Sequence, residues 1–102
     1  MWHAVKPAQD IEQNRYERIE LADLDILVFN LDGQFYALED RCTHDDAGLD
    51  GGDIENGCIK CPRHGACFDI RSGDAMSAPA YEATDSFECR VNAEGIVEVD
   101  ID

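Results

Sequence analysis

Apolar residues in this chain fall in short runs separated by acidic or glycine-containing turns, and most of the runs have the length and period of strands. Ile26-Leu27-Val28-Phe29-Asn30-Leu31 is almost continuously apolar, and Asp32-Gly33 separates it from Gln34-Phe35-Tyr36-Ala37-Leu38. Two strands joined by a tight Asp-Gly turn are predicted there. Upstream, His3 to Lys6 suits a short opening strand, and Pro7 to Ile11 suits one helical turn or a loop with proline near its start. Arg15 to Leu21 mixes helix formers with Tyr16 and Ile19, and its length favours a strand over a helix. Near the end, Ser86 to Val91 places Phe87, Cys89 and Val91 on one face. Asn92 to Gly95 then turns the chain into Ile96 to Ile101, whose Val97, Val99 and Ile101 alternate in the same way. No long segment has a helical period, so the expected class is all-β, with antiparallel sheets of short strands.

The middle of the chain, residues 41–80, breaks this pattern. It holds four of the five cysteines, two of the three histidines, six of the eight glycines and two of the three prolines, with few long apolar runs. A segment so poor in core residues needs another source of order, and a bound metal supplies one by stabilising the folded loops directly. The expectation is one domain over 1–102 with a loop-rich metal-binding subdomain at 41–80, since 102 residues are too few for two independent cores.

Charge narrows the function classes. Asp and Glu number 23 against 8 Lys and Arg, a formal charge of −15. Phosphate backbones are bound by clustered cations, so nucleic acid is excluded as a partner, and an anionic membrane surface is repelled. Met1 to Asp10 has no apolar run of the signal-peptide kind and no stretch approaches a membrane span, so a cytoplasmic protein is expected; a monomer is the accompanying expectation. In that setting the odd set Cys42, Cys58, Cys61, Cys67 and Cys89 favours metal or redox chemistry over a disulfide framework.

Two pairs of potential ligands stand out, Cys42-Thr43-His44 and Cys61-Pro62-Arg63-His64, with sixteen residues between His44 and Cys61. Each offers one thiolate and one imidazole from a tight turn. Two such tips side by side let the thiolates share one iron and the imidazoles another, the ligand arrangement of a Rieske 2Fe-2S centre. In Asp40-Arg41-Cys42-Thr43-His44-Asp45, and more specifically in Cys61-Pro62-Arg63-His64-Gly65-Ala66-Cys67-Phe68-Asp69-Ile70-Arg71-Ser72-Gly73, the chain resembles the Rieske ferredoxins over nearly its whole length. Ser77-Ala78-Pro79-Ala80 is similar to the proline-containing loop that covers the cluster in that family.

The resemblance implies a Rieske fold, one 2Fe-2S cluster on Cys42, His44, Cys61 and His64, and a one-electron carrier with no catalytic residues of its own. It further implies a flavin-dependent ferredoxin reductase as donor and a terminal Rieske non-haem iron oxygenase, of the kind that opens aromatic catabolism, as acceptor. Ferredoxins found beside iron-sulfur assembly genes look alike, so an assembly accessory or a redox sensor is the alternative. A mononuclear iron site of two histidines and a carboxylate cannot be built as well, since only His3 remains.

Departures from the high-potential branch of the family lie at Ala47 and Arg63, where that branch has a disulfide, and at Ala66 and Phe68, where it has hydroxyl donors to the cluster and its cysteine sulfur. A structural zinc site is the chief competitor for a two-Cys, two-His set, but its usual Cys-x-x-Cys and His-x₃₋₅-His order is not the order here. Cys58-Ile59-Lys60-Cys61 does contain Cys-x-x-Cys, with Cys58 expected at an apolar strand position instead of at a metal. Cys89 is expected to be a buried small hydrophobe. Cys67, next to Phe68, points outward if Phe68 points inward, which leaves an exposed oxidisable thiol as one of its two readings. His3 is expected on a strand or the surface, and Trp2 in the core.

Overall fold

The computed structural model describes residues 1–102 except Ala22, His44, Asp45, Asp46, Pro79, Tyr81 and Asp102. Ten strands are present among the described residues: β1 Trp2–Pro7, β2 Arg15–Leu21, β3 Leu24–Leu31, β4 Gln34–Glu39, β5 Ile54–Glu55, β6 Cys58–Lys60, β7 Cys67–Asp69, β8 Ser86–Phe87, β9 Cys89–Val91 and β10 Ile96–Asp100. A single 3-10 turn, Ala8–Asp10, follows Pro7, where the fixed φ of proline suits a helical start. The strands form three antiparallel sheets ordered β1-β10-β9, β2-β3-β4-β8 and β5-β6-β7. The all-β expectation holds.

The β2-β3-β4-β8 sheet is the middle layer, and β3 explains why. Residues Ile26 to Leu31 are all buried, so both faces of the strand are covered. Leu27, Phe29 and Leu31 enter one core with Leu38, Leu49, Ile59, Phe68 and Ile70, on the side of the β5-β6-β7 sheet. Ile26 and Val28 enter a second core with Ala37, Val97, Val99 and Ile101, on the side of the β1-β10-β9 sheet. A strand with a core on each face reads as a continuous apolar run, because alternation shows only when one face meets water. Its buried polar residue, Asn30, is satisfied: the side-chain N–H donates to Ile11 O at 2.7 Å, and the side-chain oxygen accepts from Gly33 N at 2.8 Å. Asp32 and Gly33, with φ of 54° and 90°, make the tight turn expected of Asp-Gly.

The C-terminal hairpin differs from its sequence expectation in one respect. Its run does not form one strand: Ser86–Phe87 joins β4 in the middle sheet, and Cys89–Val91 joins β10 in another. Glu88, exposed between them, is where the chain changes sheets. Phe87 and Cys89 are half-buried against the second core, while Val91 is 44% exposed at an edge, so the three residues do not share one buried face. Trp2 is half-buried and not central, with Arg90 3.9 Å above its ring. His3 lies on β1 with its Nε2 3.2 Å from Ile101 O.

Candidate metal centre

The two turns expected to carry ligands are closed by the same bond. Cys42 N donates to Ala47 O at 2.6 Å and Cys61 N donates to Ala66 O at 2.7 Å, each spanning five residues. In the second turn Gly65 N also donates to Cys61 O at 3.0 Å, and Gly65 sits at φ +77°, a conformation open to glycine without strain. Both cysteines are buried, at 0% and 1% exposure, whereas Pro62, Arg63 and His64 are exposed. Thiols inside and an imidazole outside is the polarity that the predicted donor set requires. His44 lies outside the described residues, as do Asp45, Asp46 and Pro79. Among the described residues no three His, Cys, Asp or Glu side chains are grouped as a metal site. The donor chemistry fits a 2Fe-2S cluster in that two soft thiolates are withdrawn from water while imidazole faces it.

The first turn is held from below by residues to which the sequence alone assigns no role. Asp40 Oδ1 accepts from Leu49 N at 2.6 Å and Asp50 N at 2.9 Å, and its other oxygen accepts from Arg18 Nε at 3.3 Å. Tyr16 Oη donates to Gly52 O at 2.8 Å and accepts from Gly51 N at 2.9 Å. Burial pushes the Tyr16 phenol above its ordinary pKa; the bond from Gly51 opposes this, and the charges of Asp50, Asp40 and Asp53 add to it. Gly52 has no room for a side chain, since a Cβ there would strike the Lys60 carbonyl, which brings the first turn against the start of the second. Thr43 Oγ1 donates to Glu82 O at 2.7 Å and ties the first turn to the segment beyond residue 80. In the sequence Tyr16 shows only as a polar atom on an apolar strand, which many surface residues share, and Asp40 only as the first residue of the segment 40–45.

The second turn grows out of the β6-β7 hairpin, where Ile59 and Phe68 are paired and wholly buried. Their neighbours Cys58, Lys60, Cys67 and Asp69 therefore point to the outer face. Cys58 and Cys67 are joined there by a disulfide, with Cα atoms 5.9 Å apart. This corrects the expectation for Cys58, which does not fill an apolar core position: Ile59 takes the core side and turns Cys58 out. Cys67 does face outward as the alternation with Phe68 implied, but it is bonded and not an exposed thiol. Cys89 is half-buried, and burial pushes its thiol up to about 12. Ala66 and Phe68, the positions that distinguish this chain from the high-potential branch, are both fully buried.

The family description "Rieske [2Fe-2S] domain" matches residues 1–88. The ferredoxin subunit of the 3-phenylpropionate/cinnamic acid dioxygenase of Shigella boydii serotype 4 (strain Sb227) is 32% identical over 91 residues, which cover 88% of this chain and 85% of the subunit. Human apoptosis-inducing factor 3 is 32% identical over 93 residues, 91% of this chain, and the chain spans only 15% of that longer protein. Among solved structures, a chain in the complex of reduced oxygenase and oxidised ferredoxin of carbazole 1,9a-dioxygenase superposes with a TM-score of 0.89 at 34% identity. That match covers 96% of this chain and 91% of the other. The chain belongs to the Rieske [2Fe-2S] domain family, and its cofactor is one 2Fe-2S cluster.

Proposed function

We propose that the protein is a soluble one-electron carrier of a multicomponent oxygenase system, accepting electrons from a flavin-dependent ferredoxin reductase and delivering them to a terminal Rieske non-haem iron oxygenase. Cys42 and Cys61 hold the inner iron, His44 and His64 the outer one, and residues 41–80 form the cluster-binding subdomain. When bound, the cluster supplies a one-electron couple. The chain's own residues decide where that couple meets a partner. Buried Cys42 and Cys61 keep the thiolates from water, and the Asp40, Tyr16 and Thr43 bonds hold the first turn against the body. Exposed His64 stands between Arg63 and the Gly65 bend, at the outer end of its turn. Pro62, Met76 and Ala78 are exposed in the same part of the chain, Met76 at 60%, and Met76 N donates to Cys67 O at 2.7 Å. An imidazole beside small and apolar exposed groups suits close contact without a deep pocket. Among the described residues no helix is long and apolar enough to cross a membrane.

The observation that carries this reading is the pair of equivalent turns with buried cysteines and an exposed histidine. The ferredoxin subunit and the ferredoxin–oxygenase complex among the relatives support an oxygenase as acceptor, and the reductase as donor rests on the resemblance to the Rieske ferredoxins. The test is reconstitution: the cluster-loaded protein, a flavin-dependent reductase and a candidate oxygenase are mixed, and product is measured with each component left out in turn. Product that depends on this chain supports the carrier role. A protein that the reductase reduces but that gives no oxygenase turnover across a panel of aromatic dioxygenases points away from it.

A further inference from the structure

We propose that Cys58 and Cys67 are a reversible thiol–disulfide couple, a two-electron redox centre at the neck of the hairpin whose tip carries Cys61 and His64. Three observations place it there. The cysteines lie on the outer face of β6 and β7, opposite the buried pair Ile59 and Phe68. They are diagonal neighbours, since Cys58 pairs with Asp69 and Lys60 with Cys67, and their Cα separation of 5.9 Å is inside the range that a disulfide spans. Both are half-buried beside the exposed Lys60, so a small thiol can reach the sulfurs, as it cannot reach a bridge sealed in a core.

The position gives the couple its consequence. Cys58 stands three residues before Cys61, and Cys67 three residues after His64, so the bond closes the base of the ligand turn symmetrically. Oxidised, it adds a covalent tie where the two strands already share three register pairs. Reduced, the hairpin is held by those pairs, by the Cys61–Ala66 bond, by Ser77 Oγ accepting from Cys67 N at 3.1 Å, and by Met76 N donating to Cys67 O at 2.7 Å. Cross-linking a short loop restricts the opened states through which a ligand turn releases its metal.

The opening step balances with two molecules of a low-molecular-weight thiol such as glutathione. A first thiolate attacks one sulfur of the Cys58–Cys67 bond, giving a mixed disulfide and one protein thiol. A second attacks the reagent sulfur of the mixed disulfide, giving the other protein thiol and the reagent's own disulfide. Two electrons pass to the protein pair, and the two protons that the reagent gave up end on Cys58 and Cys67. Closing is the reverse, with the low-molecular-weight disulfide as oxidant.

The effect on the cluster rests on the reading of Cys61 and His64 as ligands, and the test separates the two claims. The cluster-loaded full chain is equilibrated anaerobically in glutathione buffers from fully reduced to fully oxidised, quenched with acid and an alkylating reagent, and the 58–67 pair is read by peptide mass spectrometry. Electron paramagnetic resonance of the reduced cluster, and cluster loss to a chelator, are followed on the same samples. The expected result is a smooth interconversion of free and cross-linked pair with the cluster signal kept. Cluster loss should run about tenfold faster in the reduced form, the factor that corresponds to one step of 1.4 kcal/mol. Cys58→Ser and Cys67→Ser should lose cluster at the reduced-form rate whatever the buffer, and Cys89→Ser should respond like the unsubstituted chain. A pair that never cross-links, a cross-link that glutathione cannot open in the folded protein, or equal loss rates in both forms would each overturn the proposal. Absence of a Rieske signal in every sample would instead sink the ligand reading, while the mass spectra would still report the couple.

Discussion

Tyr16 and Gly52, thirty-six residues apart, are joined by a 2.8 Å bond from the phenol to the glycine carbonyl, and the same phenol oxygen accepts from Gly51 N at 2.9 Å. The ring itself packs 5.3 Å from that of Phe29, centroid to centroid. A strand of the middle sheet thus grips the loop that leads from the first ligand turn to β5.

Tyr16→Phe keeps the ring and removes the oxygen, so both bonds go and Gly51 N and Gly52 O must find water. A loss of about 1 to 2 kcal/mol in stability to denaturant is expected. Cluster loss to a chelator should quicken in the same variant, while Tyr36→Phe, whose phenol donates to Gln34 at the surface, should change neither. Equal behaviour of the two variants in chelator would show that the grip on the loop does not reach the metal.

Substitution of the ligands gives an all-or-none outcome. Cys42→Ala, His44→Ala, Cys61→Ala and His64→Ala should each abolish the Rieske resonance signal, because on the proposed assignment each removes one of the two protein ligands of one iron. Cys89→Ala, in a different sheet, should keep it. A cluster that survives Cys61→Ala would contradict the assignment.

How much of this was legible in the sequence depended on whether a residue's partner was near in the chain. The Asp32-Gly33 hairpin, the opening strand and β2 could be read locally, because turn chemistry and period two are local. The split of 86–91 between two sheets was not, since Phe87 and Cys89 keep the alternation of one strand while their hydrogen-bond partners, Ala37 and Val99, lie in different layers. At the site, Cys42 and Cys61 stood out because they are paired with histidines at short spacing. Tyr16 did not, and Asp40 showed only as the first residue of segment 40–45 with no role attached, since what they hold lies 9 to 36 residues away. The Cys58–Cys67 bond is the intermediate case. Period two around Ile59 and Phe68 puts both cysteines on one face, yet only the register of β6 on β7 makes them neighbours.

Cys89 offers a pH test. Its thiol is pushed from an ordinary 9.0 up to about 12, with burial as the cause. The folded chain therefore holds a proton that the unfolded chain releases, so the thiol costs nothing below pH 9. Stability should then fall as pH rises from 9 toward 12. Labelling by iodoacetamide at pH 8 should be slow in the native protein and fast in denaturant, since the thiolate is the reacting species. Fast native labelling of Cys89, read by peptide mass, would show that edge strand β9 opens readily from β10.

The reduction potential should lie in the lower part of the Rieske range of about −150 to +300 mV. Ala66 and Phe68 bring no hydroxyl to the buried side of the second turn, and the net charge of −15 opposes an added electron. Ala66→Ser and Phe68→Tyr should raise the midpoint measured by protein-film voltammetry, provided the new hydroxyls reach sulfur. A starting value above about +100 mV, well up that range, would contradict the reading.

Docking should depend on salt. Acidic residues are spread along the whole chain, nine in 1–40, seven in 41–80 and seven in 81–102, while half of the eight basic residues, Arg41, Lys60, Arg63 and Arg71, lie in 41–80. Cations are paired both outside and inside that segment: Arg18 with Asp25 at 2.9 Å, Lys6 with Glu17 at 3.1 Å, Arg90 with Glu98 at 2.7 Å and Lys60 with Glu55 at 4.0 Å. What a partner meets from a distance is therefore a field of carboxylates, and what it meets at contact is the tip of Pro62, Arg63 and His64. Long-range attraction of a basic partner acts mainly on the association rate and is screened over about 10 Å at 0.1 M salt. Reduction of the protein by the proposed flavin-dependent reductase, followed by stopped flow, should slow as salt rises. Asp45→Lys with Asp46→Lys, next in sequence to His44, should slow it at low salt without altering the cluster spectrum. If the acidity served only solubility, neither change would alter the rate, and a flat dependence on ionic strength would decide for that reading.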